Sequence, residues 1–296
     1  MAVRVGVVDL GGNTARLLVA GFGPQGLERI VEDRVVLGLG AEIERHGRLS
    51  KSKLTAAAAT VAGLHERAHG AGCGRVEVLV TSPGRQSANR AALERSLTRG
   101  ATKQIRFISP FEEARLAYAG ALACTPVDGA AVAVCDVGGG STEIAVGSPT
   151  ESPAWCRSLE LGSLLITQRY FRHFPPTKHE LEAARRAVRR GLAALGPVPG
   201  APTRALASGG TARSLRKLVG HTLGPDELDE ALAIATASSP RKVARRYGVP
   251  AWRAGVLPGG ALVLAEIQAL LGVPLEVAAG GLREGAALTM LSRAAA

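Results

Sequence analysis

The chain says one phrase twice. Residues 5–19 read VGVVDLGGNTARLLV, and residues 132–146 read VAVCDVGGGSTEIAV. Each copy is an apolar run, Asp-x-Gly-Gly, a small polar residue or two, and a second apolar run. Two strand-like runs joined by glycines predict a hairpin. Two matched hairpins, with Asp9 and Asp136 at corresponding places, predict two similar halves. Glycine also lets backbone N–H groups converge on an anion where a side chain would obstruct it.

The segments around the two phrases repeat as well. Strand patterns over 3–9, 15–22 and 27–36 predict a three-stranded meander. A helix over 50–69 with Ser50 as N-cap follows, then a strand over 75–82, a helix over 87–97, a strand over 104–109 and a helix over 111–123. Turn signals at Thr125-Pro126 and Asp128-Gly129 mark the boundary, giving domains 1–124 and 125–296. The second half restarts with strands over 131–136, 142–147 and 153–160. Helices are expected over 177–194, 210–219, 226–237, 258–271 and 281–292, with short strands over 203–207 and 274–278. A meander followed by strand–helix alternation, occurring twice, predicts an α/β protein of two related domains. The last helix has the option of packing back on the first domain.

Composition narrows the function classes. A chain of 296 residues with 46% hydrophobic and 21% charged residues can bury a substantial core. Aromatics at 3% argue against stacking on bases, so nucleic acid is not expected as a partner. No run approaches the roughly 18 apolar residues of a membrane span. The four cysteines (Cys73, Cys124, Cys135, Cys156) are dispersed and form no CxxC pair. They read as small hydrophobes of a reducing compartment, and the cytoplasm is the expected location. Of 36 basic residues only six are Lys. The resulting net charge of +11 favours polyanionic ligands, although abundant Ala, Gly and Arg together also fit a compositional bias.

Several residues can carry chemistry. Both glycine turns, Asp9 to Thr14 and Asp136 to Thr142, offer backbone donors flanked by hydroxyl or amide groups. Glu143 follows the second turn, and a hairpin folded at its glycines lets Asp136 and Glu143 face the same mouth. Two such hard carboxylates suit Mg²⁺, which keeps several of its waters. In Ser109-Pro-Phe-Glu-Glu-Ala, either Glu112 or Glu113 could act as a base, although acidic residues in a first helical turn also simply complement the dipole. Arg85, just past a strand, can reach a phosphate or be solvated. Ser208-Gly-Gly-Thr-Ala-Arg opens a helix that either takes an anion at its N-terminus or packs tightly on a strand. His65 and His69 read as a solvated helix face.

Taken together, VDLGGNTARLLVA, TSPGRQSAN, ISPFEEARLAY, VCDVGGGSTEIAVG, LASGGTARSL and GGLREGAAL resemble the exopolyphosphatase/guanosine pentaphosphate phosphohydrolase family. They stand in that family's order from residue 5 to residue 288. The resemblance implies the actin-like ATPase superfold, with two ribonuclease-H-like domains and an active site in the cleft between them. It places the first phosphate loop on Asp9, Gly11, Gly12 and Asn13, and the second on Gly138, Gly139, Gly140 and Ser141. It assigns Mg²⁺ to Asp136 and Glu143, a phosphate-binding role to Arg85 and the catalytic carboxylate to Glu113, with Glu112 as runner-up. This chain departs at Gly12, where family members usually carry Ser or Thr; Thr14 is the nearest compensating hydroxyl. Longer members add C-terminal helical domains that help hold long polyphosphate, so their absence here implies short substrates.

The expected function is therefore Mg²⁺-dependent removal of the terminal phosphate of inorganic polyphosphate. Hydrolysis of guanosine pentaphosphate is the nearest alternative. An actin-like sugar or acetate kinase shares the fold but fits the Glu-Glu-Ala segment less well, and a non-catalytic sensor of a phosphorylated signal is a third reading. No membrane partner is expected, and the sequence leaves homodimer formation open.

Overall fold

The computed structural model describes residues 3–100, 104–129 and 131–295. The chain divides into two compact units, one running up to Cys124 and resuming at Leu282, the other spanning Thr125–Gly281. In the first unit, Arg4–Leu10 (β1), Thr14–Gly23 (β2) and Gly26–Val36 (β3) form the antiparallel meander. Helices Leu39–His46 (α1) and Lys51–Gly70 (α2) follow, then Arg75–Val80 (β4), Ser82–Gln86 (α3), Arg90–Gly100 (α4), Ile105–Phe107 (β5) and Pro110–Cys124 (α5). The sheet order is β3-β2-β1-β4-β5, with β4 parallel to β1 and β5 parallel to β4.

Position in the sheet explains the composition of each strand. Central β1 is covered on both faces, so it is apolar almost throughout. Val8 and Leu10 pack with Ala57, Val61 and Leu64 of α2 and Leu93 and Leu97 of α4. Val5 and Val7 face the opposite way, towards Ala117 of α5. Strand alternation puts Asp9 on that second face. Edge strand β3 is largely exposed and carries Glu28, Arg29, Glu32, Asp33 and Arg34, a composition that blunts edge pairing. Ser50 caps α2 as expected, accepting from the backbone N–H of Lys53 at 3.3 Å.

The second unit repeats the plan. Val132–Val137 (β6), Thr142–Gly147 (β7) and Trp155–Leu159 (β8) form its meander. Ser163–Tyr170 (α6), Lys178–Ala193 (α7), Arg204–Ser208 (β9) and Gly209–Val219 (α8) come next. Thr222–Leu223 (β10), Pro225–Ala237 (α9), Pro240–Tyr247 (α10), Ala251–Ala254 (α11), Leu257–Leu271 (α12) and Leu275–Val277 (β11) complete it. The order is β10-β11-β9-β6-β7-β8, with β9 parallel to β6 and β11 parallel to β9. Omitting edge strand β10, this is the arrangement of the first unit. It is the duplicated α/β topology that the sequence repeat predicts. Apolar α12 is buried over Leu257–Leu264, which suits a helix covered on most sides. Among the described residues no helix is long and apolar enough to cross a membrane.

The last helix, Leu282–Ala295 (α13), belongs to the first unit. Expected domain 125–296 thus yields its final helix to the N-terminal one. Leu282, Ala286, Ala287, Met290 and Leu291 complete the cluster around Val5, Val7, Leu18 and Leu79. Arg283 donates to the Leu17 carbonyl at 3.0 Å and to Glu32 at 2.9 Å. Expected strand 75–82 ends at Val80, because Ser82-Pro-Gly turns into α3. Elements α1, α6, α10, α11 and β10 fall outside the strand and helix patterns of the sequence, being too short to show a period.

Two residues test this packing. A Cβ on Gly285 of α13 would lie 2.0 Å from the Leu116 carbonyl of α5, so the two backbones touch. Gly285→Ala should destabilise the protein by about 1–3 kcal/mol, read from its urea midpoint. Glu180 closes a capping box on α7: its carboxylate accepts from the Thr177 N–H at 2.8 Å while Thr177 Oγ1 accepts from the Glu180 N–H. The Thr177 N–H is the main cause that holds its pKa down at about 2, with the Arg172 N–H and His173 adding to it. The folded pKa lies below the ordinary glutamate value of 4.5, so the stabilisation is complete above pH 4.5 and lost as pH falls towards 2. Glu180→Gln should flatten the acid limb of the stability profile in that window.

Candidate active site

Both glycine turns close in the same way. The Gly11 N–H donates to the Thr14 carbonyl and the Gly138 N–H to the Ser141 carbonyl, each at 3.0 Å. Counting from each Asp, Thr14 corresponds to Ser141, so the first turn keeps a hydroxyl at that place although Gly12 lacks one. Each turn is then braced by the short helix after its meander. Leu37 and Gly38 donate to the Asn13 carbonyl at 2.9 and 3.0 Å, and Gly40 donates to Gly12. In the second unit Ser163 donates to the Gly138 carbonyl at 2.9 Å, and Leu164 and Leu165 donate to that of Gly139 at 3.0 and 3.1 Å. The Ser163 hydroxyl adds a second bond to Gly138. These contacts engage turn carbonyls that would otherwise repel an anion.

The seating leaves no room for side chains. A Cβ on Gly162 would lie 2.2 Å from the Gly139 carbonyl, and one on Gly40 would lie 3.1 Å from that of Gly12. Neither glycine stood out in the sequence on its own. Their signal is a second repeated phrase, Leu37-Gly-Leu-Gly40 matching Leu159-Glu-Leu-Gly162. Residues just past the fourth strands of the two units hold the strands that enter the turns: Thr81, after β4, donates to the Leu10 carbonyl through its N–H at 3.2 Å, and Thr211 Oγ1, in the first turn of α8, donates to that of Val137 at 2.7 Å.

Across the hairpins the halves diverge. Asp9 stands opposite Arg16 in β2, whereas Asp136 stands opposite Glu143 in β7. The first pair sets opposite charges across the hairpin; the second sets two carboxylates there, an arrangement that is destabilising by itself. Glu143 is only 2% exposed and accepts from Ser158 Oγ at 2.7 Å. Asp136 lies over the start of α8, where a Cβ on Gly209 would be 2.2 Å from its Oδ1. Gly209 has φ +82°, so glycine is required there for conformation and for space. The Ser-Gly-Gly-Thr helix start therefore receives Asp136 itself, a carboxylate placed where the helix dipole favours it.

The donor set can be tested against Mg²⁺. No group of three or more His, Cys, Asp or Glu able to hold a metal exists among the described residues. A closed protein cage of the zinc type is thus not built here. Two hard carboxylates with hydroxyls nearby do fit Mg²⁺, which takes one or two carboxylates and keeps water. Preceding Cys135 is fully buried, and desolvation with the Asp136 charge pushes its thiol up to about 12, which keeps it protonated and inert.

In the first unit Glu113 and Glu112 take different environments. Ser109 caps α5, its Oγ accepting from the Glu112 N–H at 3.1 Å. The Glu112 side chain turns outward to Arg106, which also binds Glu77. Glu113 is turned inward, its side chain 13% exposed and paired with Arg85 at 2.7 Å. Arg85 also donates to the Ile108 carbonyl at 3.3 Å. Arg85 and Glu113 are thus brought together within one unit. His65 and His69 lie ring to ring on α2, with His69 Nδ1 at 3.0 Å from the Cys73 carbonyl.

This geometry can be set beside known proteins. The family model described as "Ppx/GppA phosphatase family" matches residues 18–294. The chain belongs to the Ppx/GppA phosphatase family. It is 30% identical over 201 residues to Exopolyphosphatase 2 of Mycobacterium tuberculosis, covering 64% of this chain and 61% of that protein. The chain thus spans less than two thirds of the length of that relative. To Exopolyphosphatase 1 of the same organism it is 26% identical over 305 residues, covering 98% of this chain and 88% of the relative. The solved exopolyphosphatase of Cytophaga hutchinsonii superposes with a TM-score of 0.88 at 21% identity, over 98% of each chain. That likeness shows that the chain has the fold of the solved exopolyphosphatase, here an α/β architecture of two mixed sheets with helices. In this Ppx/GppA chain, Gly162→Ala should push Gly139 out of place. Its expected effect is a lower Tm, read by differential scanning calorimetry.

Proposed function

We propose that the protein is an exopolyphosphatase that removes terminal phosphate from inorganic polyphosphate. The observation that carries this reading is the Asp136–Glu143 carboxylate pair beside a braced glycine turn. Membership of a phosphatase family, with relatives named exopolyphosphatase, supports it.

The roles follow from chemistry. From the first unit, Glu113 accepts a proton from the attacking water, and Arg85 leaves its ion pair with Glu113 to bind a phosphate oxygen. That exchange withdraws a positive neighbour from Glu113 and so strengthens it as a base. The water oxygen forms a bond to the terminal phosphorus while the bridging P–O bond breaks. Orthophosphate and a chain shorter by one unit leave. The turns at Gly11 to Asn13 and Gly138 to Ser141 hold phosphate through backbone donors, with Asp9 at the edge of the first. Asp136 and Glu143 would hold Mg²⁺, which neutralises charge on non-bridging oxygens when bound. Positioning and charge neutralisation are what phosphoryl transfer chiefly needs. Four unbridged cysteines suit the cytoplasm as its compartment.

Glu113→Gln should lower phosphate release by about 10²–10⁴-fold while leaving polyphosphate binding within a few-fold of the parent. Assays with tri-, short- and long-chain polyphosphate and with guanosine pentaphosphate test the substrate. Release from polyphosphate is expected; release from the nucleotide alone would overturn the proposal.

A further inference from the structure

Ser208 is the last residue of β9 and the N-cap of α8, yet its side chain caps nothing. The residue is fully buried, and its Oγ has no hydrogen-bond partner. An unsatisfied buried hydroxyl costs stability, and in a native protein it marks a missing bonding partner. Its surroundings indicate which partner. Strand pairing aligns Ser158 with Glu143, Glu143 with Asp136, and Asp136 with Ser208. These four residues form one row across β8, β7, β6 and β9 at the level of the glycine turn. Side chains paired in this way share a sheet face.

At one end of the row Ser158 donates to Glu143 at 2.7 Å. At the other end no such bond exists for Ser208. Ser208 and Asp136 instead lie together beside Gly281: a Cβ there would be 3.5 Å from Ser208 Cβ, 3.6 Å from Ser208 Oγ and 3.9 Å from Asp136 Oδ2. The hydroxyl and the carboxylate oxygen thus approach one and the same point beside the Gly281 backbone. A divalent cation held by only two carboxylates keeps most of its shell as water, and those waters need acceptors and donors around them.

We propose that Ser208 is a positioning residue for the hydrated cation: its Oγ hydrogen-bonds a water of the shell held by Asp136. This rests on the Mg²⁺ reading above. Ser208 touches neither phosphate nor the attacking water.

Mn²⁺ serves as the probe, with its binding followed by electron paramagnetic resonance in the whole protein. Ser208→Ala should weaken Mn²⁺ binding about three- to tenfold, the worth of one hydrogen bond. Without metal its Tm should equal or exceed that of the parent, because an unsatisfied hydroxyl has been removed. Asp136→Asn is the control and should abolish Mn²⁺ binding. Loss in Asp136→Asn with unchanged affinity in Ser208→Ala would overturn the role of Ser208 and leave the metal site standing. Unchanged affinity in both would overturn the metal reading itself. A lower metal-free Tm, or failure to fold, in Ser208→Ala would show a structural partner for the hydroxyl and sink the proposal. Weaker triphosphate binding without metal, at unchanged Mn²⁺ affinity, would overturn it in favour of direct phosphate contact.

Discussion

The glycine turns hold their shape because a helix start is pressed against each of them. A turn of consecutive glycines has little conformational preference of its own, and fixing it costs more backbone entropy than any other sequence would. In both units the cost is offset in the same way. The first N–H groups of a helix lack partners within the helix, and the turn carbonyls need donors. Pairing the two satisfies both, but only if the backbones meet at contact distance. Gly40 and Gly162 make that approach possible. The closing bonds at Gly11 and Gly138, the position of each Asp and the supporting threonines all depend on this seating.

Equivalence of scaffold makes the differences between the halves informative. Strand pairing gives Asp9 and Asp136 one cross-strand neighbour each, and the identity of that neighbour sets the local charge. Asp9 is paired with the opposite charge of Arg16, and Asp136 with the like charge of Glu143. The like-charged pair thus belongs to one half only. A similar division appears in α5, where consecutive glutamates separate into an outward partner of Arg106 and an inward partner of Arg85. Helical geometry turns neighbouring residues by about 100°, so adjacent positions cannot share a role.

Much of this was legible in the sequence. The meanders, the crossovers and the two turns follow from alternating apolar runs and from glycine punctuation, because those features are local. What escaped was of two kinds. Short elements such as α1 and α6 give less than three helical turns, too few for a periodic signal, although their Leu-x-Leu-Gly repeat was present. Contacts fixed by tertiary approach, such as Gly209 under Asp136 or Ser158 on Glu143, join residues whose sequence separation carries no message. The boundary at residue 124 was marked by turn chemistry. The return of Leu282–Ala295 to the first unit depends on an apolar face that only the completed sheet defines.

That return has a consequence for synthesis. Residues Val5, Val7, Leu18 and Leu79 emerge early from the ribosome, but their cover includes Leu282, Ala287, Met290 and Leu291 at the far end of the chain. Thr125–Gly281 is contiguous and has its own core, so it can close while the earlier part still waits. The first unit is thus completed only after the second has been made, and until then the sheet face around Val5 and Val7 has α5 over it but not α13. Loss of the fourteen-residue helix Leu282–Ala295 would therefore cost the N-terminal unit rather than the one that precedes it in sequence.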